Sequence, residues 1–244
     1  MDARLRDRIL AGGSLVLMVV LAWRFLWLEA QAMEQMAATP VRFVEEAAGA
    51  FIMWTIMMVG MMLPSAAPAM MFYGTLVRRN RERGSILPAV WTFVAGYLFI
   101  WTAFSLGAAL LQATLLEARL VTPMLVSASK PLTAALLVAA GLYQWLPFKD
   151  ACLSKCRHPI EFFTMRWRAG PFGAWRMGLD HGLYCLGCCW LLMLLLFAVG
   201  AMDLVWVAVI SAFVFAEKLL PGAKITTGAA GFGLIAAGGL VLLG

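Results

Sequence analysis

The sequence predicts an all-α fold: a polytopic membrane helix bundle of about seven transmembrane helices, with the N-terminus inside. One integral membrane domain is expected to cover residues 1–244. The composition is 63% hydrophobic and 13% charged, with a mean hydropathy of +0.87, which excludes an ordinary soluble domain. Long apolar runs recur along the chain, and lysines and arginines gather in every second loop.

The apolar runs define the predicted spans in order. A helix that crosses a bilayer needs ~20 apolar residues, and the fourth, sixth and seventh runs are short for this. The predicted spans cover residues 9–28, 48–76, 88–112, 131–147, 182–200, 203–219 and 228–243.

The charge pattern predicts the orientation of these spans. Most of the 19 lysines and arginines precede the first span or follow the second, fourth and sixth spans. By the positive-inside rule, the N-terminus then lies in the cytoplasm and the C-terminus lies outside. This topology explains the net charge of +6, so we expect the lipid bilayer and no nucleic acid as a partner.

The second span is rich in methionine, with seven methionines between Met53 and Met71. Thioethers are soft, uncharged ligands that suit Cu(I). They also serve as flexible packing between helices. We predict a thioether ladder that leads from the outer side toward the cysteine site described below. Its candidate metal ligands are Met57, Met58, Met61 and Met62.

Two prolines, Pro64 and Pro68, interrupt the same span. Proline removes a backbone hydrogen-bond donor and kinks a helix. Two prolines four residues apart therefore predict a discontinuity near the middle of the membrane. Broken helices of this kind are common at transport sites.

The loop between the fourth and fifth predicted spans, residues 148–181, is more than a linker. It mixes aromatic side chains with arginines, a combination that suits the membrane–water boundary. Gly170 and Pro171 are expected to divide it into two pieces. We expect at least one interfacial helix between helices four and five, either as a membrane anchor or as a lid over the cysteine site.

The cysteines and histidines occupy one short part of the chain. All five cysteines lie between Cys152 and Cys189, and both histidines fall in the same interval. On a helix, His181, Cys185 and Cys188 share an arc of about 60°, and Cys189 lies beside it. Thiolate and imidazole together suit Cu(I), Zn(II) or an iron–sulfur centre. The pattern predicts a metal ion, with copper favoured over zinc or iron–sulfur.

A second cysteine pair, Cys152 and Cys156, follows the fourth span and lies at the same predicted membrane face. That face is cytosolic, where disulfides rarely persist. The spacing leaves open whether the two groups of cysteines meet, and it is also compatible with cysteines that only pack as small apolar side chains. The expected ligands are first Cys152, Cys156, Cys185 and Cys188, and then His181 and Cys189.

The remaining polar residues in the spans are predicted to serve structure. Glu217 and Lys218 end the sixth span and are expected to pair with each other or to anchor the helix end. Gln112 and Gln144 are expected to make interhelical hydrogen bonds. No Ser/His/Asp arrangement, phosphate loop or carboxylate pair supports a hydrolase or an NTPase. The sequence therefore favours a binding protein over an enzyme and predicts no catalytic residue.

Four motifs carry a resemblance to a known family. They are MMVGMMLPSAAP at 57–68, GLYQ at 141–144, KDACLSKCR at 149–157 and HGLYCLGCCW at 181–190. With these motifs, the chain resembles the DUF2182 family of predicted metal-binding integral membrane proteins from bacteria. The resemblance implies a multi-pass protein of the bacterial inner membrane. The motif residues that it implies as ligands are Cys152, Cys156, His181, Cys185, Cys188 and Cys189.

Together these patterns predict a membrane protein that binds a soft transition metal through Cys, His and Met side chains. Its expected role is metal transport, or delivery to a partner such as a membrane metalloenzyme. Two alternatives stay open. The Cys-x-x-Cys spacing is also typical of a membrane thiol–disulfide redox protein. The methionines and small residues also suit a non-catalytic subunit or assembly factor of a membrane complex.

Overall fold

The computed structural model describes residues 3–35, 43–80, 87–122, 125–220 and 223–243. These ranges are almost entirely helical and form no strand, so the all-α prediction is confirmed. The helices are α1 (Ala3–Gln35), α2 (Phe43–Asn80), α3 (Leu87–Glu117), α4 (Lys130–Tyr143), α5 (Pro147–Arg157), α6 (Pro159–Arg166), α7 (Gly170–Leu194), α8 (Leu196–Val199), α9 (Leu204–Leu219) and α10 (Ala223–Leu243).

Five of these helical segments are long and apolar enough to cross a membrane, which is compatible with the predicted membrane protein. A sixth crossing results if α4 and α5, which meet at a 66° bend, act as one span. Helix α9 has 16 residues, and at 1.5 Å per residue it extends ~24 Å, less than the ~30 Å of a hydrocarbon core. The predicted count of seven is therefore not confirmed. Arg42, Arg81 and Arg83, which contributed to the predicted orientation, lie outside the described residues.

The bend between α4 and α5 is set by Pro147. The residue before a proline disfavours the α conformation, and Leu146 is extended, with φ −71° and ψ 134°. Helices α5 and α6 then occupy the segment where an interfacial helix was predicted. Residues 167–169 separate α6 from α7, and Gly170, with φ +81°, and Pro171 begin α7, so the segment divides into two pieces as the sequence predicted.

Helix α2 is continuous through both of its prolines, so the predicted discontinuity is wrong. A proline at position 64 leaves the carbonyl of Gly60 without its usual backbone donor. The indole Nε1 of Trp23 on α1 donates to that carbonyl at 3.3 Å. The next carbonyl, that of Met61, accepts from Ser211 on α9 at 3.3 Å. Side-chain donors from neighbouring helices thus satisfy this part of the backbone, as transmembrane prolines require.

The helix that carries the second cysteine motif begins earlier than predicted. The sequence placed this span at 182–200, whereas α7 runs from Gly170 to Leu194. Asp180, a polar residue in the added part, pairs with Arg166 of α6 at 3.1 Å. Cys185 therefore lies roughly 22 Å along α7 rather than at a helix entrance.

The core of the bundle is built from α2, α3 and α7, with α9 packed on α2 and α7. Helices α3 and α7 approach closely because Gly178 has no side chain, and a Cβ there would collide with the backbone of Phe93. Small residues allow such close helix contacts in membranes. This contact brings Tyr97 of α3 beside the cysteines of α7.

Candidate metal centre

The predicted ligand face of α7 points into the core of the bundle. His181, Cys185, Cys188 and Cys189 are each at most 2% exposed. All five cysteines are free thiols. Positions i, i+4, i+7 and i+8 follow the helical period and share one side of a helix. The face therefore meets α2, α3 and α9 rather than lipid.

Cys185 is the centre of this face. Its Sγ accepts a hydrogen bond from Lys218 Nζ of α9 at 3.0 Å, and it lies 3.1 Å from the hydroxyl of Tyr97 on α3. Lys218 Nζ also donates to Ser65 Oγ on α2 at 2.8 Å. The ammonium group therefore links the thiol of Cys185 to the methionine helix.

Cys156 of α5 brings the first cysteine motif to the second one. Its half-buried thiol is close enough to the thiols of Cys185 and Cys188 to interact with them electrostatically. Cys185 in turn interacts with Cys188 and Cys189, which lie one turn further along α7. Sulfur atoms from two separate segments of the chain thus meet in a cluster of four thiols. We call this set, Cys156, Cys185, Cys188 and Cys189, the sulfur cluster.

Cys152, the other member of the first motif, lies at the edge of this cluster. Its Sγ faces Gly187, where an added Cβ would come within 2.7 Å of the sulfur. The missing side chain at Gly187 therefore allows α5 to approach α7. Cys152 contributes to that helix contact, and the structure shows no hydrogen bond from it to the cluster thiols within the described residues.

The thiols of the cluster are arranged for hydrogen bonding. Cys188 and Cys189 both donate to the carbonyl of Cys185, at 3.1 and 2.9 Å. Among the residues that the structure describes, no three His, Cys, Asp or Glu side chains are already set as a coordination shell. Free thiols donate to carbonyls, whereas a metal requires thiolates that point at one centre.

The methionine row borders the cluster on its α2 side. Met57, Met58, Met61 and Met62 are fully buried, at 0% exposure. Met62 is the member nearest to the cluster, with its Sδ 4.0 Å from Cys189 Sγ. The row therefore adds thioether sulfur to an already sulfur-rich part of the core.

His181 lies one helical turn before Cys185, in an aromatic pocket. The rings of Phe93, Tyr97 and Phe162 surround it, with ring centroids 5.3 to 5.9 Å from the imidazole. Within the described residues, its Nδ1 is buried without a hydrogen-bond partner. Buried polar atoms are normally paired, so an unpaired imidazole nitrogen has spare capacity for a ligand.

Glu217 and Lys218 do not pair with each other, so that prediction is wrong. Glu217 accepts hydrogen bonds from Lys149 of α5, at 2.7 and 2.9 Å, while Lys218 contacts Cys185. Both residues are buried, at 2% and 6% exposure, so neither anchors the helix at a membrane surface. The sequence did contain a signal for these contacts, namely an adjacent acid and base at the end of an apolar helix. Charged residues in such a position face the bundle interior and pair with residues of other helices.

The two glutamines of the spans both have partners. Gln112 of α3 accepts from Trp54 Nε1 of α2 at 2.7 Å and donates to Glu46 at 2.9 Å, which confirms its predicted interhelical role. Gln144 accepts from Lys149 across the α4–α5 bend. Both contacts tie polar atoms together inside an apolar bundle.

The fold and this cluster define a class: an all-helical protein with membrane-spanning hydropathy and a set of sulfur side chains gathered in its interior. Residues 51–241 match the family described as PpoB2, copper chaperone, and the chain belongs to that family. The family supports copper as the associated metal, although the match does not carry the name DUF2182. No curated protein and no solved structure matches the chain.

Proposed function

We propose that the protein binds Cu(I) in the sulfur cluster and passes it on, either across the membrane or to a membrane metalloenzyme. The observation that carries this proposal is the approach of the half-buried Cys156 to the buried Cys185 and Cys188, which come from a separate motif. Cu(I) prefers thiolate and thioether ligands over oxygen ligands. Membership of a copper chaperone family supports the same metal.

The geometry ranks the proposed ligands. Cys185 and Cys188 come first, because each lies within reach of Cys156 of the other motif. Cys189 and Met62 follow, since their sulfur atoms lie 4.0 Å apart at the border of the cluster. The remaining sequence-based ligands, His181, Cys152, Met57, Met58 and Met61, stand in a second rank around the four thiols.

Copper binding requires two local changes. Each coordinating thiol must lose its proton, so uptake releases protons. Cys188 and Cys189 must also turn away from the carbonyl of Cys185 that they contact. Both changes are small and reversible, which suits a protein that hands its metal on rather than one that keeps it.

The path of the metal follows the proposed topology. With the N-terminus inside and seven crossings of a bacterial inner membrane, α2 runs from the outer side inward. Its buried methionines then lead from the outer half of the bundle to Met62 beside Cys189. Thioether ligands bind Cu(I) without needing deprotonation, so they suit transfer through an apolar region.

Copper retention by cysteine variants tests this function. The purified protein, kept reduced, is equilibrated with Cu(I) and a chromophoric Cu(I) chelator, and the retained copper is measured. We expect Cys185→Ser and Cys188→Ser to lose affinity by at least about tenfold, because each removes a soft ligand. Cys152→Ser is the comparison variant and is expected to lose less affinity than either, since it replaces a second-rank cysteine at the edge of the cluster.

Equal retention by all three variants would contradict the proposed site. A parent protein that binds no Cu(I) under these conditions would contradict the proposed function itself. A reversible Cys185–Cys188 disulfide in metal-free protein, with no copper binding, would support the redox alternative instead.

A further inference from the structure

The end of α9 carries two adjacent charged residues that contact two different helices. Lys218 Nζ donates to Cys185 Sγ on α7 at 3.0 Å. Glu217 accepts from Lys149 Nζ on α5 at 2.7 and 2.9 Å. Helices α5 and α7 supply the two cysteine motifs. One dipeptide of α9 therefore contacts both helices that carry the sulfur cluster.

The ion pair between Lys149 and Glu217 is fully enclosed by the bundle. The two side chains are 0% and 2% exposed. Thr227 of α10 donates to Glu217 Oε1 at 2.8 Å, and Gln144 accepts from Lys149 Nζ. A buried ion pair of this kind contributes little net stability over apolar packing, but separating its two charges is costly. Its main physical effect is to fix where α5 stands against α9.

Lys149 and Cys156 share one face of α5. They are seven residues apart, which is about two helical turns. A side chain that is fixed at Lys149 therefore also fixes the direction in which Cys156 points. Helix α5 packs directly on α7 at Cys152 and Gly187. Through Lys149 and Lys218, α9 adds a second connection between the two helices that carry Cys156 and Cys185.

We propose that the Lys149–Glu217 ion pair is a positioning device that holds Cys156 of α5 against the α7 thiols. The functional role of this ion pair rests on the proposed copper function. The contact between Cys156 and the α7 thiols exists without metal. Lys149 and Glu217 act through the placement of α5 and touch neither thiol nor metal. This assigns a role at the cluster to Lys149, the first residue of the first cysteine motif, and to Glu217, which lies outside both motifs.

Disulfide trapping in membranes tests this role without copper. Two backgrounds are used, each with two cysteines and serine at the other three positions: Cys156 with Cys185, and Cys156 with Cys188. The azo compound diamide oxidises the two thiols to a disulfide and takes up their two electrons and two protons. The rate of disulfide formation then reports how often the two sulfur atoms meet. The alkylation rate of each single cysteine with N-ethylmaleimide corrects for changes in thiol reactivity.

The test variant combines Lys149→Met with Glu217→Met. Replacing a buried ion pair by apolar side chains of similar volume is generally tolerated. We expect both disulfides to form about tenfold more slowly after correction for thiol reactivity, because the coupling between buried partners is lost. The matched control combines Lys155→Met with Glu161→Gln, which removes an exposed pair between α5 and the neighbouring α6. Exposed pairs contribute little, so the control is expected to keep the parent rate.

A charge-swapped variant, Lys149→Glu with Glu217→Lys, decides the role of the ion pair itself. Gln144 and Thr227 both donate and accept hydrogen bonds, so they suit either orientation of the pair. We expect the swap to restore disulfide formation to within about twofold of the parent. Parent rates in the charge-free variant, or a swap that stays as slow as the charge-free variant, would overturn the proposal. If the charge-free variant is lost from the membrane, the swapped variant alone decides. Failure of the parent to bind Cu(I) would affect the proposed function and leave this result unchanged.

Discussion

At the scale of single residues, Lys218 is the most informative side chain of the cluster. A charged group in the apolar interior of a membrane bundle is costly unless it has a partner. Among the ion pairs of the described residues, none includes Lys218, and its hydrogen bonds go to Cys185 and Ser65. The positive charge is therefore directed at sulfur. A copper–thiolate cluster carries negative charge, so this ammonium group is well placed to balance it.

Substitution of Lys218 is predicted to weaken copper binding without removing a ligand. We expect Lys218→Met to lower Cu(I) affinity by about ten- to a hundredfold, since a hydrogen bond to a charged group contributes ~1.5–3 kcal/mol. Lys218→Arg keeps the charge and is expected to lose less. Competition with a chromophoric Cu(I) chelator measures both variants, and equal affinity of parent and Lys218→Met would contradict the prediction.

At the scale of elements, α2 combines two properties that usually conflict. It contains Pro64 and Pro68, yet it remains one helix of 38 residues. Donors from other helices satisfy its carbonyls, including the hydroxyl of Tyr97, which donates to the carbonyl of Met62 at 3.2 Å. Because Tyr97 also contacts Cys185, the same side chain joins the proline region of α2 to the cluster. The methionine row is therefore held rigidly beside the thiols.

The thioether of Met62 is predicted to assist copper binding. Met62→Leu conserves volume and is expected to cost less than ~1.5 kcal/mol of stability. It removes the thioether sulfur that lies 4.0 Å from Cys189 Sγ, so we expect weaker Cu(I) binding than in the parent, measured by chelator competition. Met70→Leu is the matched control, because Met70 is equally buried on the same helix. Equal affinities for the two variants would assign the methionines to packing alone.

At the scale of the whole molecule, hydropathy and residue spacing predict the helical fold well and the local contacts less well. The face of α7 that bears His181, Cys185 and Cys188 follows from the helical period, and the structure places all three in the core. The start of α7 could not be predicted in this way. Asp180 lowers the local hydropathy of the sequence, and only the structure shows that Arg166 pairs with it. The helical period therefore predicts which face of α7 is buried, whereas a tertiary ion pair determines where α7 begins.

Tertiary contacts also explain the other differences. Proline chemistry alone predicts a break in α2, but the indole of Trp23, 37 residues away, satisfies the carbonyl of Gly60. Sequence proximity suggests that Glu217 and Lys218 pair, but adjacent helical residues point about 100° apart. Their real partners, Lys149 and Cys185, lie on other helices. Such long-range pairings leave no periodic signal in a single sequence.

X-ray absorption at the copper edge, on the reduced and copper-loaded protein, tests the central claim most directly. The account predicts Cu(I) in a shell made of sulfur atoms, supplied by thiolates of both cysteine motifs. Replacing Cys156 alone is expected to remove one sulfur neighbour and keep the metal, because the α7 thiols remain. A shell of oxygen and nitrogen atoms, or a spectrum that is unchanged when all four cluster cysteines are serine, would contradict the account.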